Sequence, residues 1–149
     1  MTLWLDASAV VCLVLREPMS PNVDRTLATA TGRIIISDFC LAEASAAISR
    51  LVRIGVRSSD GADVLYSEMD AWAKEISEHV CITPDDVIEA TRFVRRPQLA
   101  LRAPDAIHIA AAHRLEATLV TLDLGMARAA AALGLACINP AEPLGEQKD

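Results

Sequence analysis

The sequence predicts an α/β fold, a three-layer α/β/α sandwich around a short, mostly parallel central sheet. Three observations lead there. Short apolar runs recur along the chain, the plainest being the β-branched Ile34-Ile35-Ile36. Helix-length segments lie between them, bounded by capping residues, Pro and Gly. Strands that alternate with helices form βαβ units, whose parallel sheet is covered on both faces.

Thr2–Leu5 reads as a buried strand that stops at Asp6, and Ala7–Arg16 as an apolar helix stopped by Glu17-Pro18. Ser20 and Pro21 supply the cap and first turn of a helix reaching Thr31, closed by Gly32. After the Ile34–Ile36 strand, Asp38 caps a helix from Phe39 to Ile54, closed by Gly55. Ser58 or Ser59 opens the next helix. Its Ala62, Leu65, Met69 and Trp72 recur at three- and four-residue spacing, a stripe suited to the core and in part to a dimer contact. His79–Thr83 reads as a strand. Pro84 opens a helix that ends before Pro97, and Pro104 opens the helix Asp105–Leu115. Thr118–Leu122 is a strand, Leu124–Leu133 an alanine-rich helix, and Ala136–Ile138 a last strand. One domain is expected over residues 1–139, and the polar segment 140–149 is expected to fray.

At 149 residues the chain suits one domain with one substantial core. Mean hydropathy is high, at +0.30, but much of it comes from alanine and leucine in helix-like stretches. No apolar run approaches the roughly 20 residues of a membrane span. No basic segment precedes the N-terminal apolar stretch, and Asp6 interrupts it, which disfavours a signal peptide. Aromatic residues are 3% of the chain, too few for a base-stacking platform. A net charge of −6 argues against a general polyanion coat, yet an acidic metal site would itself contribute negative charge. Cys12, Cys40, Cys81 and Cys137 form no C-x-x-C pair, so a reducing, cytoplasmic setting is the simpler reading and zinc is disfavoured.

Four acidic residues sit in or beside apolar runs: Asp6, Glu43, Asp105 and Asp123. An unpaired buried carboxylate is costly, so such residues are protonated, paired with cations or gathered around a metal. Asp6 and Asp123 fall at strand carboxyl ends, where open α/β sheets bind ligands. Asp105 falls in a helix first turn, and Glu43 in the second turn of the helix after Ile34–Ile36. Carboxylates brought close repel one another, and a divalent cation removes that penalty; carboxylate oxygens suit Mg²⁺ or Mn²⁺. The hydroxyl residues Ser8 and Thr121 stand two residues from Asp6 and Asp123, placed to orient a carboxylate or a water. Each acid has a plainer reading too. Asp6 and Asp123 suit N-caps, and Asp105 complements a helix dipole. Glu43 has no basic partner at i+4. His108, three residues after Asp105, suits a packed helix histidine, a donor to the site, or a ligand. Arg95, Arg96 and Arg102 flank the approach to Asp105 and suit either a solvated helix end or phosphate binding.

The segments L-W-L-D-A-S-A, L-A-E, A-P-D-A-I-H-I-A-A-A and L-V-T-L-D, in that order, resemble the PIN-domain nucleases, in particular the VapC-type toxins of toxin–antitoxin modules. The resemblance runs from Asp6 to Ile138. It implies a Mg²⁺- or Mn²⁺-dependent endoribonuclease acting on structured RNA such as tRNA or ribosomal RNA. By motif position, Asp6 and Asp105 would be the principal metal ligands and Glu43 and Asp123 would complete the set, with Ser8 and Thr121 as small hydroxyl positions. It also implies a homodimer silenced by a cognate antitoxin protein. Trp4 is bulky for the family's first strand, and basic residues are few. Two other readings remain: a catalytically silent PIN scaffold that binds a protein partner, and a phosphohydrolase with Asp6 as nucleophile, which would usually have an acid where Ser8 stands.

Overall fold

Alternation along three short central strands divides the interior into two half-cores. The structure, a computed structural model, describes residues 1–142. Its strands are β1 (Leu3–Leu5), β2 (Ile34–Ser37), β3 (Glu78–Val80), β4 (Thr118–Val120) and β5 (Cys137–Ile138). Its helices are α1 (Ala7–Val14), α2 (Ser20–Leu27), α3 (Asp38–Arg53), α4 (Ser59–Ile76), α5 (Pro84–Val94), α6 (Ala103–Arg114) and α7 (Leu124–Ala132). The sheet order is β3-β2-β1-β4-β5, and every pairing is parallel. Leu3, Leu5 and Ile36 join buried residues of α1 to α4. Trp4, Ile35 and Leu119 point to the opposite face and join α5, α6 and α7. Side chains that alternate between apolar faces bury both sides of the sheet, which gives the three-layer sandwich.

Several element ends differ from the sequence reading, each for a local reason. The first helix stops at Val14, and Arg16 takes a left-handed φ of 54° in the turn. The second stops at Leu27 rather than Thr31. Its cap position is Met19, while the Ser20 hydroxyl donates to the Cys12 carbonyl at 2.7 Å. Ser37, not Asp38, caps α3: its Oγ accepts from the Cys40 amide at 3.0 Å. Asp38 instead accepts from the amides of Phe39 and Ile82, tying α3 to the segment after β3. Gly55 follows α3 at φ +75°, a conformation that side chains resist. The third strand covers Glu78–Val80 rather than His79–Thr83, because Thr83 is used in a capping box with Asp86 at the start of α5. The fourth stops at Val120, where Thr121 and Leu122 turn into the loop before α7, and the fifth is only Cys137–Ile138. Pro97–Leu99 forms a 3-10 turn, an element absent from the sequence reading. The expected fraying of 140–149 falls mostly on residues 143–149, which lie outside the described residues. No helix of the described residues is long and apolar enough to cross a membrane.

One buried ion pair locks α5 to α6. Asp86 is buried, and Arg114 donates to its two oxygens from Nε and Nη2 at 2.7 and 2.9 Å. Burial alone would raise the Asp86 carboxyl. The Arg114 fork, then the Thr83 donors, outweigh that and hold it below its ordinary value. A depressed carboxylate contributes stability above its unfolded value of about 3.9 and loses it as the pH falls through the lower folded value. Arg114→Met leaves the buried carboxylate without its cation. It is expected to cost about 3 kcal/mol in urea melts at pH 7, with the gap to the native chain narrowing below about pH 4.

Candidate active site at the carboxyl ends of the strands

The chain connections diverge at β1, with β2 and β3 to one side and β4 and β5 to the other. A crevice outside the carboxyl ends at such a switch point is the usual ligand position in an open α/β sheet. Asp6 leaves β1 at that point. Its amide donates to the Val120 carbonyl at 3.2 Å, continuing the register of Leu5 opposite Val120, so Asp6 stands beside Thr121.

The Asp6 carboxylate is 2% exposed and is enclosed by neutral donors. Oδ1 accepts from Ser8 Oγ at 2.7 Å and from the Ala9 amide at 3.0 Å, which caps α1. Oδ2 accepts from Thr121 Oγ1 at 2.7 Å, and the Ser8 hydroxyl also reaches it at 2.9 Å. Each hydroxyl is oriented by an amide of the loop after β4: Leu122 donates to Ser8 Oγ at 2.9 Å, and Asp123 donates to Thr121 Oγ1 at 3.0 Å. Among the described residues no Lys or Arg pairs with Asp6. Burial accordingly pushes its carboxyl above the ordinary range, against the lowering pull of Ser8, His108, Thr121 and the Ala9 amide. Asp6 is therefore both the cap of α1 and a buried acid at the switch point.

Asp105 and Asp123 share one guanidinium. Arg102 grips Asp105 with two donors, Nε to Oδ2 at 3.1 Å and Nη2 to Oδ1 at 3.3 Å. The same Nη2 stands 4.0 Å from Asp123 Oδ2. Asp123 Oδ1 accepts from the Met126 amide at 2.8 Å and caps α7. Glu43, in the second turn of α3, meets His108 of α6, with Oε2 and Nε2 2.6 Å apart.

Asp105 above all, then Asp123 and Glu43, hold the Arg102 proton more tightly than usual. Burial, then the charges of Asp6 and Glu43, push the Cys40 thiol far above its ordinary range, so it is an inert packing group. By distance, Arg102 joins Asp105 and Asp123, Glu43 meets His108, and Asp6 meets Ser8 and Thr121. Among the described residues, no three His, Cys, Asp or Glu side chains stand close enough together to hold a metal ion as they are placed. The donors nevertheless suit a hard cation in kind, being carboxylates and hydroxyls, one of them buried without a cation and two spanned by an arginine. Of the three arginines considered, Arg102 is at the acids, while Arg95 and Arg96 are exposed at the end of α5 and pair with none of the four.

The sequence reading left the partner of Glu43 unnamed. The imidazole lies 65 positions away in the chain, and no local pattern pairs them. Arg102, which suits a solvated helix end or phosphate binding from sequence, instead grips Asp105, a pairing that the i, i+3 spacing allows.

The model of the PIN domain matches residues 3–132. The chain belongs to the PIN-domain family. Among solved structures, this PIN domain is similar to the FitAcB structure from Neisseria gonorrhoeae, at 18% identity and a TM-score of 0.71 over 93% of this chain and 97% of that one. It is similar to VapC20 of Mycobacterium tuberculosis, a sarcin-ricin loop cleaving toxin, at 16% identity and a TM-score of 0.65 over 90% and 96% of the two chains. A toxin–antitoxin complex from Klebsiella pneumoniae matches at 16% identity and a TM-score of 0.65 over 95% and 99%. At these identities the likeness is one of fold. No curated protein matches the chain in sequence.

Since the Asp6 carboxyl is raised, its charge works against folding above the raised value, and that penalty disappears below the unfolded value of about 3.9. Asp6→Asn retains an oxygen for the Ala9 amide and removes the charge. In EDTA at pH 7 it is expected to raise Tm by roughly 3 °C, a gain that shrinks in acid. An unchanged or lower Tm would show that Asp6 is not under electrostatic strain.

Proposed function

We propose that this PIN domain is a Mg²⁺- or Mn²⁺-dependent endoribonuclease that hydrolyses RNA phosphodiester bonds and acts as the toxin of a toxin–antitoxin pair. The observation that carries the reading is Asp6, a buried carboxylate at the switch point, enclosed by hydroxyls and given no cation, beside acids that share Arg102. Asp6 and Asp105 would hold the ion, with Glu43 and Asp123 completing the acidic set directly or through water. Such an ion, when bound, neutralises charge on the phosphoryl oxygens and acidifies a water.

The chain's own residues perform the rest. Ser8 and Thr121 hold both Asp6 oxygens in fixed directions, so the carboxylate is preorganised. Arg102 balances Asp105 and Asp123, and its planar fork matches a phosphate equally well. It is exposed enough to turn toward an incoming RNA backbone. Arg95 and Arg96, at the solvent, offer further backbone contacts of a sequence-independent kind. The likeness to VapC20, a sarcin-ricin loop cleaving toxin, supports a structured RNA target, and that to the Klebsiella pneumoniae toxin–antitoxin complex supports a cognate antitoxin protein; a homodimer is proposed with them from the family resemblance.

Asp6→Asn and Asp105→Asn are each expected to slow Mn²⁺-dependent cleavage of tRNA or ribosomal RNA by about a hundredfold or more, on the scale of losing one electrostatic catalytic group. Cleavage that proceeds equally in EDTA, or at full rate in Asp6→Asn, contradicts the assignment. A silent scaffold would instead show no calorimetric Mn²⁺ binding that depends on Asp6 and Asp105.

Arg102 yields a prediction of opposite sign for its two roles. Arg102→Met removes a competing cation and should tighten Mn²⁺ binding by roughly threefold in low salt. The same variant should weaken RNA binding in a filter assay and flatten its salt dependence.

A further inference from the structure

Trp4 is wholly buried in the central strand, and its indole nitrogen lies 3.1 Å from His108 Nδ1. An indole N–H only donates, so His108 Nδ1 accepts and the ring proton sits on Nε2. That proton points at Glu43 Oε2, 2.6 Å away. His108 is 1% exposed and is held on its faces as well as its nitrogens: the Trp4 ring meets it edge-on with centroids 6.2 Å apart, and Phe39 lies tilted against it at 5.4 Å. Glu43, by contrast, keeps 30% of its side chain exposed and makes no other side-chain hydrogen bond among the described residues. A glutamate in the second turn of a helix has three freely rotating bonds, so one fixed donor decides where its carboxylate rests.

We infer that Trp4 and His108 are positioning residues for Glu43: the indole sets the imidazole tautomer, and the imidazole then holds the carboxylate in the acidic set with its second oxygen free. The inference rests on the proposed metal-dependent reading. Neither ring touches the ion or the RNA. The chain of donors runs from the strand through α6 to α3, so it joins the two half-cores at the site. It also gives the bulky first-strand tryptophan a reason that packing alone does not supply. An imidazole with both nitrogens engaged in this way has no lone pair left for a metal, which makes His108 an orienting group and not a ligand.

The test is Mn²⁺ titration by calorimetry on the whole chain, with His108→Leu, His108→Gln and Trp4→Phe beside the native protein. Gln can place an amide N–H near the former Nε2 position. His108→Leu is expected to bind Mn²⁺ about tenfold more weakly or worse, the usual cost of losing a group that orients a ligand. His108→Gln should recover to within a few fold. Trp4→Phe, which keeps the ring but not the donor, should fall between them. Nitrogen-15 shifts of His108 in the metal-free native protein should report the Nε2–H tautomer, and Trp4→Phe should shift the population toward Nδ1–H. If His108→Leu fails to fold, Gln and Phe variants with the tautomer measurement carry the decision. An Nδ1–H tautomer in the native protein, native affinity in both folded His108→Leu and Trp4→Phe, or a Gln variant that binds Mn²⁺ with none of the recovery described, each overturns the inference and leaves the nuclease reading standing. A native protein that binds no Mn²⁺ removes both.

Discussion

A carboxylate withdrawn from water and enclosed by two hydroxyls and an amide sets the terms for the rest of this structure. Asp6 ends the central strand, caps the first helix and fastens β1 to the loop beyond β4 through Thr121 and Ser8. Its surroundings satisfy its lone pairs without neutralising its charge. Hydrogen bonds of this kind orient an anion well, but desolvation still makes its charge unfavourable. A protein that only needed to cap α1 could have used a serine or asparagine at no such cost. The retained charge is what turns a structural cap into a candidate ligand.

The topology explains why the other acids arrive at the same edge. Parallel strands place all their carboxyl ends together, β1 to β4 are each followed by a helix, and α6, which leads into β4, starts beside Asp123 at the same edge. Glu43 comes from the helix after β2, Asp105 from the first turn of α6 and Asp123 from the cap of α7. Asp6, Asp105 and Asp123 make local contacts at their helix starts, while Glu43 depends on the distant His108. Their partners divide the work: hydroxyls orient Asp6, an exposed guanidinium answers Asp105 and Asp123, and an imidazole holds Glu43. Only the guanidinium is both charged and free to leave, and the acids it spans are the ones a cation would have to reach.

Much of this was legible in the chain. The apolar triplets predicted the strands because a strand buried on both faces needs no polar alternation, and Pro84 and Pro104 marked the starts of α5 and α6 through a missing amide that a helix start does not use. The four acids stood out because they sit in or beside apolar runs, where a carboxylate is costly to bury. What stayed hidden was set by distance. Ser37 displaced Asp38 as the cap because β2 runs one residue further than its β-branched triplet, leaving Asp38 to accept from Ile82, 44 positions on. The Asp86–Arg114 pair and the His108–Glu43 contact join residues of separate helices, and periodicity within one helix says nothing of its neighbour's register.

Trp4 shows how one residue can answer a packing demand and an orienting one together. Two of the helices facing it, α6 and α7, are rich in alanine, and short side chains let them approach the sheet while leaving volume for a large ring between them. A leucine would fill such a space with no donor to place. The indole fills it and also brings an N–H that cannot be left unpaired so deep in the interior without a penalty of about 1 to 3 kcal/mol. His108 Nδ1 satisfies that N–H, and in accepting it commits the ring's own proton to the opposite nitrogen. The need to satisfy one buried donor therefore passes along the pair to the edge of the sheet, where Glu43 receives it.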